Sequence, residues 1–250
     1  MSAIRRLFPF LLLLFTASCA LHHPLKEVSI GIDPSWFPLQ IPQRRGNVMA
    51  FSIELLKEIG RLENLSFTKV RMNWDNLTWG LHNKKYTAIL SSMSPYPFKQ
   101  QTFAFSESYL PTGPVLLVAT TFPFHGIEAL DGTEIATLPG TGGELLLEKS
   151  PSILIRPYDS IPEALNAVAT GVIDGAIVNV LTAAAYCSNL YQGKLKIATS
   201  PLNDDGLRCI ALREQQEIID AFNRGLDKLK KNGTLLKLQK KWQLSEVCTD

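Results

Sequence analysis

Residues Tyr86 to Ser106 read YTAILSSMSPYPFKQQTFAFS, an apolar run that stops at three serines and is followed, five residues after the last of them, by a lysine. Thr87, Ala88, Ile89 and Leu90 have the character of a short buried strand, and Pro95 and Pro97 break whatever follows. Ser91, Ser92 and Ser94 then fall at the carboxyl end of that strand, where open α/β sheets present ligand-binding groups. Their hydroxyls and freed backbone amides suit a small polar ligand, and Lys99 supplies positive charge for a carboxylate. Taken alone, the stretch reads equally as a serine-rich loop with a solvated lysine. Its neighbours decide between the two.

Upstream, Val28 to Ile32 reads as a strand that ends at Asp33-Pro34-Ser35-Trp36-Phe37-Pro38, a loop with two aromatics between prolines. Phe51, Leu55, Ile59 and Leu62 recur at helical spacing, with Gly60 a blemish in that helix. Phe67 to Val70 is a second strand. Asp75 is the expected N-cap of a helix carrying Leu77, Trp79 and Leu81. Downstream, Val115 to Ala119 is another strand, and from Leu130 the alternation restarts. Glu134 to Thr137 is a strand, Pro139 to Gly143 a glycine-rich turn, and Glu144 to Glu148 opens a helix. Ile153 to Ile155 is a strand, and Ser160 with Glu163 forms a capping box for a helix that Gly171 closes. Ala176 to Val178 ends at Asn179, and Leu195 to Ala198 is a further strand. Ile218, Phe222, Leu226 and Leu229 make an amphipathic helix stopped by Asn232-Gly233, with a short last helix to Trp242. Two successive β-α-β-α runs imply two α/β lobes.

The chain has 250 residues, enough for one large domain or two lobes of about 100 residues each. Apolar residues make up 46% and charged residues 19%, which places it among globular chains. Its net charge of +2 comes entirely from Arg5 and Arg6, an argument against a nucleic-acid partner. Those arginines open an export signal: a basic start, an apolar segment from Leu7 to Phe15 too short to span a bilayer, then Thr16-Ala17-Ser18-Cys19. That last run resembles the bacterial lipobox, which implies a signal peptide over 1–18 of lipoprotein type with Cys19 as the lipidated first residue, a plain signal peptide cleaved nearby being the other reading; Thr16 departs from the usual aliphatic at that place. Export permits a disulfide among Cys187, Cys209 and Cys248, but an odd count leaves one thiol over, and the first two read as small buried hydrophobes. No CxxC or HExxH occurs and His22, His23, His82 and His125 do not cluster, so no metal and no cofactor is expected.

The order of these motifs resembles the periplasmic solute-binding proteins of polar amino-acid ABC transporters, family 3, in their lipoprotein form. These share their fold with the ligand-binding cores of ionotropic glutamate receptors. The resemblance runs from about Val28 to Trp242 and rests on VSIGIDPSWFP, NWDNLTWGL, ILSSMS…KQQTFAFSESY, GTGGE, YDSIPEALNAVATGVIDGAIVN and LKKNGTLLKLQKKW. It implies a two-lobed periplasmic binding protein fold of type II, with a ligand cleft between the lobes and two hinge crossings, near Pro111 to Pro114 and Asn203 to Leu207. Lobe 1 would take residues 26–112 and 206–250, and lobe 2 residues 113–205. It also implies a lipid-anchored monomer at the periplasm or cell surface that hands a small polar solute, an amino acid or derivative, to a membrane permease.

Carried over position by position, the resemblance gives Trp36 and Trp74 the part of aromatics that sandwich the ligand's side chain, core packing being the other reading for each. It gives Asp33 the far polar end of the ligand, and Ser91, Ser92 and Ser94 its α-carboxylate and α-ammonium. Thr141 and Gly142 become backbone donors at a helix start. Two positions depart from the family. Lys99 stands where an arginine usually grips the α-carboxylate with a two-pronged fork, and Asn179 where an aspartate usually neutralises the α-ammonium. A ligand without a standard zwitterionic end, such as a peptide, an acylated amine or another organic acid, would suit that pair. The alternatives on the same fold are a secreted cyclohexadienyl (arogenate or prephenate) dehydratase with Asp33 or Glu144 as its acid, and a sensory lipoprotein that no longer serves transport.

Overall fold

The computed structural model describes residues 25–244 apart from 37, 38, 40, 42, 43, 127, 129 and 140. The expected signal peptide, the lipidation at Cys19 and the thiol of Cys248 lie outside the described residues, as do Phe37 and Pro38 of the aromatic loop and Gly140 of the glycine-rich turn. In chain order the first elements are β1 (Lys26–Ile32), α1 (Arg45–Glu63), β2 (Leu65–Arg71), α2 (Trp74–His82), β3 (Ala88–Ser91), α3 (Pro97–Gln100), β4 (Phe103–Phe105) and β5 (Leu110–Pro111). Then come β6 (Pro114–Ala119), β7 (Glu134–Thr137), α4 (Gly142–Leu147), β8 (Leu154–Pro157), α5 (Ile161–Ala169), β9 (Gly175–Asn179), α6 (Val180–Cys187) and β10 (Leu195–Ile197). The chain closes with β11 (Gly206–Leu212), α7 (Gln216–Lys231) and α8 (Thr234–Lys241).

These strands form two sheets. The first has the order β2-β1-β3-β11-β4, with β5 also paired to β11; the second has the order β10-β6-β9-β7-β8. In the first, β1 is parallel to β2 and β3, while β11 runs antiparallel to β3 and β4. In the second, β7 is parallel to β8 and β9, while β6 is antiparallel to β9. The chain therefore passes from the first sheet to the second between β5 and β6 and returns between β10 and β11. Mixed sheets with helices on both faces, joined by two crossings, make this the two-lobed α/β architecture of the type II periplasmic binding proteins.

Alternation along the strands divides the core, because successive side chains point to opposite faces. Ala88 and Leu90 of β3 join Val28, Ile30, Phe51, Leu55, Phe222 and Leu226 under α1 and α7, whereas Ile89 joins Leu77, Leu81, Tyr86, Met93, Phe103 and Ile210 under α2. The second sheet divides likewise, with Val115, Leu117 and Ala176 on one face and Leu116, Val118, Ile135 and Ile177 on the other. Beneath α2 the Tyr86 hydroxyl donates to the Leu77 carbonyl at 2.7 Å, and the ring lies directly against Gly80. Across the other face, Glu63 of α1 receives Arg224 at 3.0 Å and Lys228 at 2.6 Å from α7.

The structure corrects several local expectations. Asn73, not Asp75, stands at the N-cap of α2, and Asp75 lies inside the first turn, where a carboxylate favours the helix dipole. The expected cap of α5 is present: the Ser160 hydroxyl accepts from the Glu163 amide at 3.4 Å, and Gly171 closes the helix with φ 74°. Five helical or strand elements have no counterpart in the sequence reading: α3, β4, β5, α6 and β11.

Candidate functional site

Because β1, β2 and β3 are parallel neighbours, the residues that follow them gather at one edge of the first sheet: Asp33, Trp74, and Ser91 to Ser94. Strand β11 enters from the same edge, with Arg208 opposite Ser91. In the second sheet β7 and β9 end at a common edge, which brings Thr141, Gly142 and Asn179 there, and β6 starts beside them with Pro114 opposite Asn179. Both crossings run between these edges. They touch each other: a methyl group on Gly113 would stand 2.6 Å from Asn203 Oδ1, so that position tolerates only glycine's bare backbone.

A cavity of about 600 Å³ opens at the first of these edges. It is lined by Trp74, Asp75, Leu77, Thr78 and His82 of α2, by Ile89 and Ser91 of β3 with Met93 after it, and by Phe98, Lys99, Thr102 and Phe103, the ring centres of His82 and Phe103 lying 5.6 Å apart. This volume and this mixture of aromatic walls with a few polar groups belong to small-molecule sites. Of the residues expected from sequence, the cavity unites Trp74, Ser91 and Lys99. Ser91 accepts the Met93 amide at 3.1 Å through its hydroxyl oxygen, which leaves the hydroxyl proton to donate elsewhere.

Lys99 is the distinctive group. It rides on α3, a single turn started by Pro97, and is half-buried. Tyr96 and Phe98 stack on each other with centroids 5.9 Å apart, and the Lys99 ammonium lies 5.6 Å and 5.8 Å from their ring centres. Among the described residues its Nζ makes no hydrogen bond and no ion pair. Burial alone pulls this ammonium below the usual lysine range. A cation held by aromatic faces and lacking an anion is prepared for one brought by a ligand.

The remaining expected residues take other places. Ser94 donates to Asp205 Oδ1 at 2.7 Å, and Asn203 donates to Asp205 Oδ2 at 2.8 Å. The Asp205 carbonyl in turn accepts the Thr112 amide at 2.9 Å, and Asn179 Nδ2 donates to the Thr112 carbonyl. Asn179 Oδ1 accepts the Leu181 amide at 3.0 Å and so caps α6. One chain of hydrogen bonds thus links Ser94, just after β3 of the first sheet, to Asn179 at the end of β9 in the second through both crossings. Asp33 is 6% exposed and receives the Ser35 amide at 2.9 Å and the Ser35 hydroxyl at 2.6 Å. Trp36 is 2% exposed, packed with Ile32, Ile41 and Val48, with φ 57° and an indole N–H that meets no acceptor among the described residues. Ser92 is half-buried beside Ser91. Thr141 precedes α4 and turns its hydroxyl to the Leu138 carbonyl at 2.7 Å, while Gly142 is exposed. The cysteines Cys187 and Cys209 are both buried as thiols, and burial pushes Cys209 up to about 12.

Thr78, His82, Phe98 and Thr102 line the cavity without having been singled out in the sequence. For two of them a signal exists: Trp74, Thr78 and His82 recur every fourth residue, which puts them on one face of α2. Phe98 and Thr102 need the turn of α3 to reach the cavity.

The sequence model of the bacterial extracellular solute-binding proteins, family 3, matches residues 28–245. The histidine-binding periplasmic protein of Escherichia coli is 27% identical over 243 residues, spanning 93% of this chain and 94% of that protein. The lysine/arginine/ornithine-binding periplasmic protein of the same organism is 26% identical over 227 residues, 87% of each chain. Among solved structures, the unliganded open L-cystine solute receptor of Neisseria gonorrhoeae superposes with a TM-score of 0.73 at 18% identity, covering 90% of this chain and 96% of the other. A polar amino acid ABC uptake transporter substrate binding protein of Streptococcus thermophilus gives 0.68 at 19% identity, covering 86% and 85%.

Proposed function

The chain belongs to the bacterial extracellular solute-binding proteins, family 3, and from that premise we propose that it binds an amino acid or a related small polar solute and delivers it to an ABC transporter permease. The observation that carries this reading is the cavity at the carboxyl edge of the first sheet, where Lys99, without an ion pair among the described residues, lines one cavity with Trp74 and Ser91. In this reading the Lys99 ammonium takes the solute's carboxylate, Ser91 and Ser92 add hydroxyl or backbone hydrogen bonds, and Trp74 covers its apolar part. Thr141, Gly142 and Asn179 approach from the second sheet, Asp33 from the loop after β1, and Ser94 acts through its bond to Asp205, while Trp36 stays packed in the core beneath that loop.

Lobe 1 takes residues 26–112 and 206–250 and lobe 2 residues 113–205, and closure about the two crossings traps the solute. No covalent step is assigned to the site. Export, a lipid anchor on Cys19 and a monomeric state complete the proposal; among the described residues no helix is long and apolar enough to cross a membrane.

The test is thermal unfolding in the presence of the twenty amino acids, short peptides, polyamines, arogenate and prephenate. A solute at about a hundred times its dissociation constant adds roughly 2.7 kcal/mol to the folded state, a rise of several degrees in the midpoint. A shift with amino acids or their derivatives supports the reading. Consumption of arogenate or prephenate would overturn it.

A further inference from the structure

Among the described residues the half-buried Lys99 ammonium that lines the cavity has no anion paired with it, which favours a solute that brings negative charge. What the same region offers to a positive charge is much poorer. Asn179 is uncharged, and both ends of its amide are engaged, Oδ1 by the Leu181 amide and Nδ2 by the Thr112 carbonyl. The Asp33 carboxylate is nearly buried and takes two hydrogen bonds from Ser35. Asp205 is held by Ser94 and Asn203, Asp204 pairs with Arg208, and Glu144 on α4 is likewise not free. Asp75 is the one carboxylate in the cavity wall, and it is exposed in the first turn of α2, where the helix dipole already favours it.

An ammonium drawn out of water into such a site would meet, among the residues lining the cavity, only the exposed Asp75, whose attraction water screens, and so would lose more in hydration than it gains. An amide nitrogen in the same place loses far less, and its acyl group would rest against the apolar walls of Trp74, Met93 and Phe98. We infer that this site reads a carboxylate paired with an uncharged nitrogen, so that its solutes are N-acylated amino acids and carboxylates of that kind. The inference rests on the proposed solute-binding role and narrows it.

The experiment is calorimetric titration of the full chain with matched pairs: phenylalanine, leucine, histidine and arginine, each beside its Nα-acetyl derivative. The expected result is at least one pair in which the acetylated compound binds tighter, by about tenfold. Tighter binding of the free amino acid in every pair that binds would overturn the inference while leaving the solute-binding role intact. Loss of that preference in Asp75→Asn would then identify Asp75 as the ammonium's partner. If no compound of either kind binds to a chain that unfolds cooperatively, the proposed amino-acid-related role fails, and the inference with it.

Discussion

Gly80 provides the sharpest test of the packing beneath the site, because two ordinary effects predict opposite signs. Gly80 lies in the interior of α2, where alanine is the better helix former by about 1 kcal/mol. A methyl group there, however, would stand 2.1 Å from the Tyr86 hydroxyl oxygen and 2.3 Å from its Cζ. Tyr86 is 3% exposed, wedged among Leu77, Ile89 and Phe103, and its hydroxyl donates to the Leu77 carbonyl, so it cannot retreat without cost. Overpacking costs about 1–3 kcal/mol. A buried hydroxyl forced off its acceptor costs about 1–3 kcal/mol more. The clash wins: Gly80→Ala is expected to destabilise by about 3 kcal/mol after the propensity gain, lowering the midpoint by about 6 to 12 °C for a chain of this length. Denaturant unfolding with linear extrapolation measures it, and the same substitution in a Tyr86→Leu background should cost little or nothing. A neutral or stabilising Gly80→Ala in the natural background would refute the account of how α2, with Trp74 and Thr78, is seated on the sheet.

Further outcomes concern charge and buried polar groups. Affinity for a carboxylate solute should fall on the alkaline side as pH rises through the Lys99 pKa, which burial holds below the ordinary value of about 10.4, because the neutral amine has no charge to offer. Lys99→Arg should keep its affinity flat across that range, as calorimetry at a series of pH values would show. Tyr109→Phe strips the buried Ser52 hydroxyl of its 3.0 Å partner and should cost about 1–3 kcal/mol in denaturant unfolding, much of it recovered by adding Ser52→Ala. Glu54 of α1 accepts from Lys241 and from the Trp242 indole, which hold its carboxyl below the usual glutamate range. Its folded pKa being lowered, this contribution to stability is present at neutral pH and lost as pH falls through that pKa, so Glu54→Gln should flatten the acid limb of stability against pH.

How much was legible in the sequence follows from the range of the interactions involved. Strands β1, β3, β6, β7 and β9 are apolar runs between breakers, and α1, α5 and α7 carry regular apolar stripes, so local pattern suffices to place them. Strand β11 is an interior strand of the first sheet, yet Arg208 interrupts its apolar run and its partners β3 and β4 lie about a hundred residues earlier. That pairing has no local signal. The same holds at the site. Trp74, Ser91 and Lys99 announce themselves by residue type beside a strand end or a breaker, and the structure brings them to one cavity. Asn179 gives no sign that its amide caps a helix and ties the first crossing, since both partners depend on how α6 and Thr112 are placed. Trp36 shows the limit from the other side: a proline-flanked loop suggests a tryptophan turned to a ligand, whereas the indole lies within the core cluster of α1.

The central claim is that the cavity around Lys99 is where the solute's carboxylate is held. The most direct measurement is calorimetric titration of wild type and Lys99→Met, side by side, with the compound that most stabilises the wild-type chain. A lost charge-assisted hydrogen bond is worth about 1.5–3 kcal/mol, so the account predicts affinity lower by at least about tenfold in the variant, with its unfolding midpoint little changed. Equal affinity in the two proteins would contradict it and place the solute elsewhere.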